Sequence, residues 1–138
     1  MKYLALPIMA LLMLPQLRAE EGEAPPAIPK EIGVCVSGYY HADDSEDEDA
    51  WKEVHHPNAP AAMADPTERW KNYDKKTTIS GIKILHMDDE MALLDVTTNQ
   101  HIPQYPLSMV RRSWIMLRKY GGVWKVWLNT ELEAKKVG

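Results

Sequence analysis

A carboxylate can take up a proton and a tyrosine can give one, and Asp65, Asp95, Tyr39 and Tyr40 are of those types. Asp65 precedes Pro66-Thr67-Glu68. In that order aspartate caps a helix, proline takes the first helical position and glutamate the third, which accounts for Asp65 without catalysis. Asp95 lies in the apolar strand Met91-Ala92-Leu93-Leu94-Asp95-Val96, where a carboxylate either points away from the core or needs a buried partner. Tyr39 and Tyr40 read as core aromatics with a wet hydroxyl. Cys35, the sole cysteine, shares a helical stripe with Ile32, Val36 and Tyr39, so a buried, inert thiol is expected.

Metal chemistry finds little support. Asp43 to Asp49 holds six acids in seven residues. A calcium loop would want glycine at its sixth position and glutamate at its twelfth; counted from Asp43, those are Glu48 and Val54. The run reads as a solvated inter-helix loop and helix N-terminus. His55 and His56 are adjacent, so on a helix they diverge by about 100° and cannot share an ion. His41, His86 and His101 could meet only through the fold. With no nucleophile elbow and no phosphate loop, we expect no metal and no cofactor.

These side chains sit in a chain of 138 residues, 45% hydrophobic and 26% charged, with a mean hydropathy of -0.40. Residues 1–19 read as a signal peptide: Lys2, an apolar run from Leu4 to Leu14, and a cleavage region ending at Ala19. The run is shorter than the roughly 20 residues that span a bilayer, so no membrane anchor is expected after cleavage. Cutting there removes Lys2 and Arg18 but no acid, and moves the net charge from -4 to -6. A periplasmic or secreted protein of that charge is a poor ligand for nucleic acid. Residues 20–29 are acidic and proline-rich, a disordered lead-in; residues 30–132 form one domain and 133–138 a C-terminal tail.

Within the domain, Ile32 to Tyr40 fits a helical stripe or a strand about equally well. Asp47 to Val54 reads as a short helix turning Trp51 and Val54 inward. The helix begun at Asp65 carries Trp70 and Tyr73 and ends near Lys75-Lys76. From Thr77 the period becomes two. Thr77–Met87 and Met91–Thr98 flank Asp88-Asp89-Glu90; a three-residue loop there puts Ile82, Ile84, Ala92, Leu94 and Val96 on one face. Val110–Tyr120 and Val123–Thr130 flank Gly121-Gly122, a two-residue turn. That turn pairs Lys119 with Trp124, Leu117 with Val126 and Ile115 with Leu128. The core face is then Ile115, Leu117, Trp124, Val126 and Leu128. Trp114, Met116, Arg118, Tyr120, Lys125 and Trp127 lie opposite. Helices followed by an antiparallel meander is an α+β order.

Tyr39-Tyr40 with Ala42, the Trp-bearing short helix, His56-Pro57-Asn58-Ala59, and the closing Gly122-Val123-Trp124-Lys125-Val126 resemble the nuclear transport factor 2-like superfamily over about residues 30 to 130. The resemblance implies N-terminal helices packed on a curved antiparallel sheet, cone-shaped around a pocket, and favours helix for residues 30 to 42. It departs between Asn58 and Asp65, where many members carry a strand pair. It also implies enzyme roles: Tyr39 or Tyr40 as proton donor and Asp65 near the position of a ketosteroid isomerase-like base, its pKa raised by burial.

The leading expectation is a non-catalytic exported domain binding a small apolar ligand or a protein partner, with Tyr39, Trp51, Trp70, Leu94 and Trp124 lining the pocket. An isomerase or lyase using Asp65 or Asp95 with a tyrosine is the alternative, and an assembly module with a filled pocket is a third. Trp114, Met116, Arg118 and Trp127 form the expected interface of a homodimer.

Overall fold

A computed structural model describes residues 27–60, 65–72, 74–104 and 107–137. The signal-peptide and cleavage assignments, most of the lead-in, Tyr73 and the link 61–64 fall outside the described residues. The described chain runs α1 (Lys30–Ser45), α2 (Glu48–Val54), α3 (Thr67–Trp70), β1 (Lys76–Met87), β2 (Met91–Ile102), β3 (Leu107–Tyr120) and β4 (Val123–Val137). The strands form one curved, open antiparallel sheet in the order β1-β2-β3-β4.

Residues 30–45 are helical, so the stripe prevails over the strand pattern. It buries Ile32, Cys35, Val36, Tyr39, Tyr40, Ala42 and Asp43, side chains three and four apart on one face. Glu46 takes a left-handed conformation (φ 55°) that ends α1. Asp47 then caps α2, accepting from the Ala50 amide at 3.1 Å. α2 turns Trp51 into the core, as its pattern implied.

α3 is one turn long instead of reaching Lys75. So short a helix has little intrinsic stability, and Arg69, Trp70 and Lys75 are all drawn toward the acids at the end of α1.

The sheet keeps most of the expected pairing but corrects it with bulges. Ile84 pairs with Leu94 and Ile82 with Val96, so the expected set shares one face. The loop itself is nevertheless tight: Asp88 N donates to Met91 O at 2.9 Å, and Leu85 is the extra residue that restores register. At the second turn Gly121 and Gly122 have φ of 58° and 79°, the left-handed pair that glycine tolerates. Lys119 pairs with Trp124 and Leu117 with Val126, but Ile115 pairs with Asn129, not Leu128. Trp127 is a bulge residue, so Leu128 turns outward and is 37% exposed. β4 continues to Val137, pairing with β3 where a tail was expected.

Candidate functional site

The inner face of the sheet changes character along its length. From the hairpin ends it reads Ala92, Leu94, Val96, then Thr98 and Gln100 on β2; Leu117 and Ile115, then Ser113 and Arg111 on β3; Val126, then Asn129 and Glu131 on β4. α1 follows the same gradient, from Ile32 and Val36 through Tyr39 and Tyr40 to Asp43. The apolar halves close into the core with Trp51, which is 2% exposed. The polar halves leave a cleft of about 230 Å³, completed by Arg69 and Lys75.

Asp43 is the centre of this cleft. One carboxylate oxygen accepts from Trp70 Nε1 at 2.8 Å and from the Arg69 guanidinium; the other lies 2.7 Å from Lys75 Nζ. Lys75, only 7% exposed, also donates to Asp44 at 2.6 Å and to Thr77 Oγ1 at 3.2 Å. Asp44 in turn accepts from the Thr77 amide and hydroxyl at 2.6 and 2.8 Å. Burial alone would push the Asp43 carboxyl up, but Lys75, Trp70 and Arg69 together hold it below the usual carboxylate range. The acidic run therefore is not wholly solvated, as its composition implied: its first two members are structural anions. On the far wall Arg111 donates to Gln100 Oε1 at 2.7 Å and pairs with Glu131. Asn129 Nδ2 donates to Tyr39 Oη at 2.9 Å.

The expected catalytic residues divide. Tyr39 and Tyr40 line the cleft; burial pushes the Tyr39 hydroxyl up to about 12 against the Asn129 hydrogen bond, and burial likewise raises Tyr40. Asp65 is exposed, accepting from the Thr67 hydroxyl at 2.6 Å and the Thr67 amide at 3.1 Å. Those bonds hold its pKa down, the reverse of what a buried base would show. The expected cap register is corrected by one residue: the cap position is Pro66, which offers no side-chain cap hydrogen bond, and Asp65 precedes it, accepting from the amide of the first helical residue, Thr67. Asp95 lies on the outer face in a fork with Arg112, whose Nη2 approaches to 2.7 Å and which holds the carboxyl low.

The five expected pocket residues do not share one cavity. Tyr39 lines the cleft, and Trp51 and Leu94 are packed into the core. Trp70 supports Asp43 from the cleft's edge. Trp124 borders a separate groove of about 550 Å³ at the hairpin tips, with Val34, Cys35 and Val123. The Cys35 thiol is raised to about 12 by burial and stays protonated. His55 is buried, its Nδ1 donating to Trp51 O at 2.7 Å, which leaves Nε2 an unpartnered acceptor; burial keeps the ring neutral. His56 instead packs its ring 5.1 Å from Trp127 and 5.3 Å from Tyr120, so the two histidines diverge. Among the described residues no group of three or more His, Cys, Asp or Glu could hold a metal.

The inward set Thr98, Gln100, Arg111, Ser113, Asn129 and Glu131 went unread in the sequence. Its signal was the period of two continuing after the apolar residues stop. Asp43, four residues after Tyr39 and seven after Val36, likewise extends the stripe of α1.

No family model matches the chain, and no curated protein matches it. Solved structures do. An NTF2-like protein of unknown function from Shewanella oneidensis MR-1 superposes with a TM-score of 0.57 at 14% identity, covering 75% of this chain and 98% of that one. The hexachlorocyclohexane dehydrochlorinase LinA-type3 of Novosphingobium barchaimii LL02 gives 0.56 at 12%, covering 78% and 88%. A Bdellovibrio bacteriovorus protein gives 0.61 at 12%, covering 74% of this chain but only 39% of that one. At these identities the likeness is one of fold, and it agrees with the α+β architecture expected from the sequence.

Proposed function

We propose that this chain, whose fold is that of the nuclear transport factor 2-like superfamily, is a non-catalytic binding domain that holds a small polar ligand in the cleft beside Asp43. The observation that carries this reading is the state of the cleft's ionisable groups. Of the two carboxylates among the described residues lining the cleft, Asp43 accepts from Trp70, Arg69 and Lys75 and Glu131 is paired with Arg111, while Tyr39 and Tyr40 keep their protons, so each carboxylate is already engaged by a cation. A fixed set of hydrogen-bonding groups in a concave site is suited to recognition instead. The apolar ligand anticipated from the sequence would find its place elsewhere, in the groove at Val34, Val123 and Trp124 or in one of about 520 Å³ beside Ile28, Ile82 and Ile84.

The leader-like residues 1–19 support an exported location. Native mass spectrometry on protein recovered from outside the cytoplasm tests both points. The expected species is a polypeptide starting at Glu20 with a small molecule bound, and Ser113→Trp, which fills the cleft, should lose the adduct while staying folded. A wild type running at the bare polypeptide mass would overturn the reading.

The outer face of the sheet favours a second role, association with another copy. Trp114 is 42% exposed there, beside Met116 and Leu128 and rimmed by Arg118 and the Asp95–Arg112 fork. Trp127, expected in the same interface, is instead half-buried against His56 with the Arg118 guanidinium 4.9 Å over its ring. Trp114 is therefore the better probe. The wild type is expected to sediment as a dimer and Trp114→Glu as a folded monomer; a monomeric wild type at high micromolar concentration would exclude the dimer.

A further inference from the structure

We infer that the ligand of the cleft carries a carboxylate, taken by Arg111 as Glu131 swings aside; this rests on the binding reading above. Three observations converge. Gln100 and Ser113 are 6% and 7% exposed and line the cleft, yet Gln100 Nε2 and Ser113 Oγ make no hydrogen bond among the described residues. Neither is among the side-chain atoms sealed from solvent, so both offer donors to the space inside. A buried donor left facing a cleft is matched best by an acceptor-rich group.

The second observation is which charges are committed. Asp43 holds Lys75 and Arg69, while Asp44 holds Lys75 and Thr77 through close contacts made largely inside the protein. Those carboxylates cannot leave without stranding a buried cation. Glu131 differs: its side chain is 49% exposed, whereas that of Arg111 is 23% exposed and anchored by Gln100 Oε1. A half-exposed carboxylate gives up little on returning to water. The cation it leaves is planar and already oriented, which suits a two-oxygen acceptor.

The third is size. About 230 Å³ is below the usual range for drug-sized ligands and admits a compact acid. Both oxygens of such a carboxylate would meet the Arg111 guanidinium, with the Gln100 amide and Ser113 hydroxyl donating to their remaining lone pairs.

Benzoate and its neutral isostere benzamide serve as probes, followed by calorimetry and by the amide resonances of Gln100 and Ser113. Benzoate should bind at least about tenfold more tightly than benzamide, as expected for a charge-assisted contact. Glu131→Gln, which removes the internal competitor, should tighten benzoate several-fold, and Arg111→Gln should abolish the preference. The direction of Glu131→Gln is decisive even if Arg111→Gln folds poorly, because a merely structural Arg111–Glu131 pair predicts no gain. Equal binding of the two probes, or weaker benzoate binding by Glu131→Gln, would overturn the carboxylate while the cleft reading stands. If neither probe moves the two resonances the inference also fails, and the native mass measurement then separately decides the binding reading.

Discussion

Replacing Lys75 with methionine should destabilise the protein by about 3–5 kcal/mol at neutral pH, the range for stripping one partner from a buried ion pair. Methionine keeps most of the length and apolar stem of lysine but leaves Asp43 and Asp44 facing each other without the ammonium 2.6–2.7 Å from both. Arg69 and Trp70 still serve Asp43, which limits the loss. The pH dependence fixes the cause. In the wild type the Asp43 pKa is depressed, so this carboxylate contributes stability above the ordinary carboxylate range that is lost only as pH falls through its lowered value. In the variant, burial and the neighbouring Asp44 raise it, so Asp43 takes up its proton earlier. The deficit measured by denaturant unfolding should therefore shrink as pH falls toward about 4. A deficit that stays flat over that interval would mean the methionine is lost packing, not an unpaired charge.

A second large contrast lies on β3 and β4. Leu117→Ala should cost about 2–5 kcal/mol, since Leu117 is fully buried against the core and opposite Val126. Leu128→Ala should cost about 0.5 kcal/mol or less, because the bulge at Trp127 turns Leu128 to the outer face. Urea midpoints at unchanged slope measure both. Equal losses would mean that Leu128 shares the core and that the ladder runs without its bulge.

That contrast marks where the sequence was legible. The Gly121-Gly122 turn set the first pairs correctly because a two-residue loop transmits register by geometry alone. It failed at Trp127, the fifth residue of β4, where a bulge inserts one residue that the turn geometry does not transmit. Helix α1 was balanced between two patterns until the superfamily resemblance weighed in. Asp65 was legible as a local acceptor at a helix start because its partner Thr67 is two residues away, although the helix begins one residue later than the pattern implied. Asp43 was not, because Arg69 lies 26 residues later and nothing nearby announces the pairing. Local chemistry is visible in a sequence, whereas a buried ion pair between distant segments is visible only as an acid standing where an apolar residue belongs.

The four irregular positions of the sheet, Ser80 and Leu85 on β1 and Trp127 and Leu132 on β4, all fall on the two outer strands, while the β2–β3 ladder has none. Ile84 already pairs with Leu94 and His86 with Leu93, so deleting Leu85 would leave every neighbouring pair intact. A deletion anywhere within β2 or β3 would instead exchange the inner and outer faces of everything beyond it. By this geometry a single-residue change in length is costly in the middle strands and cheap at the bulges of the outer ones. Chains of this architecture should therefore differ in length at those four places while keeping the paired centre unchanged.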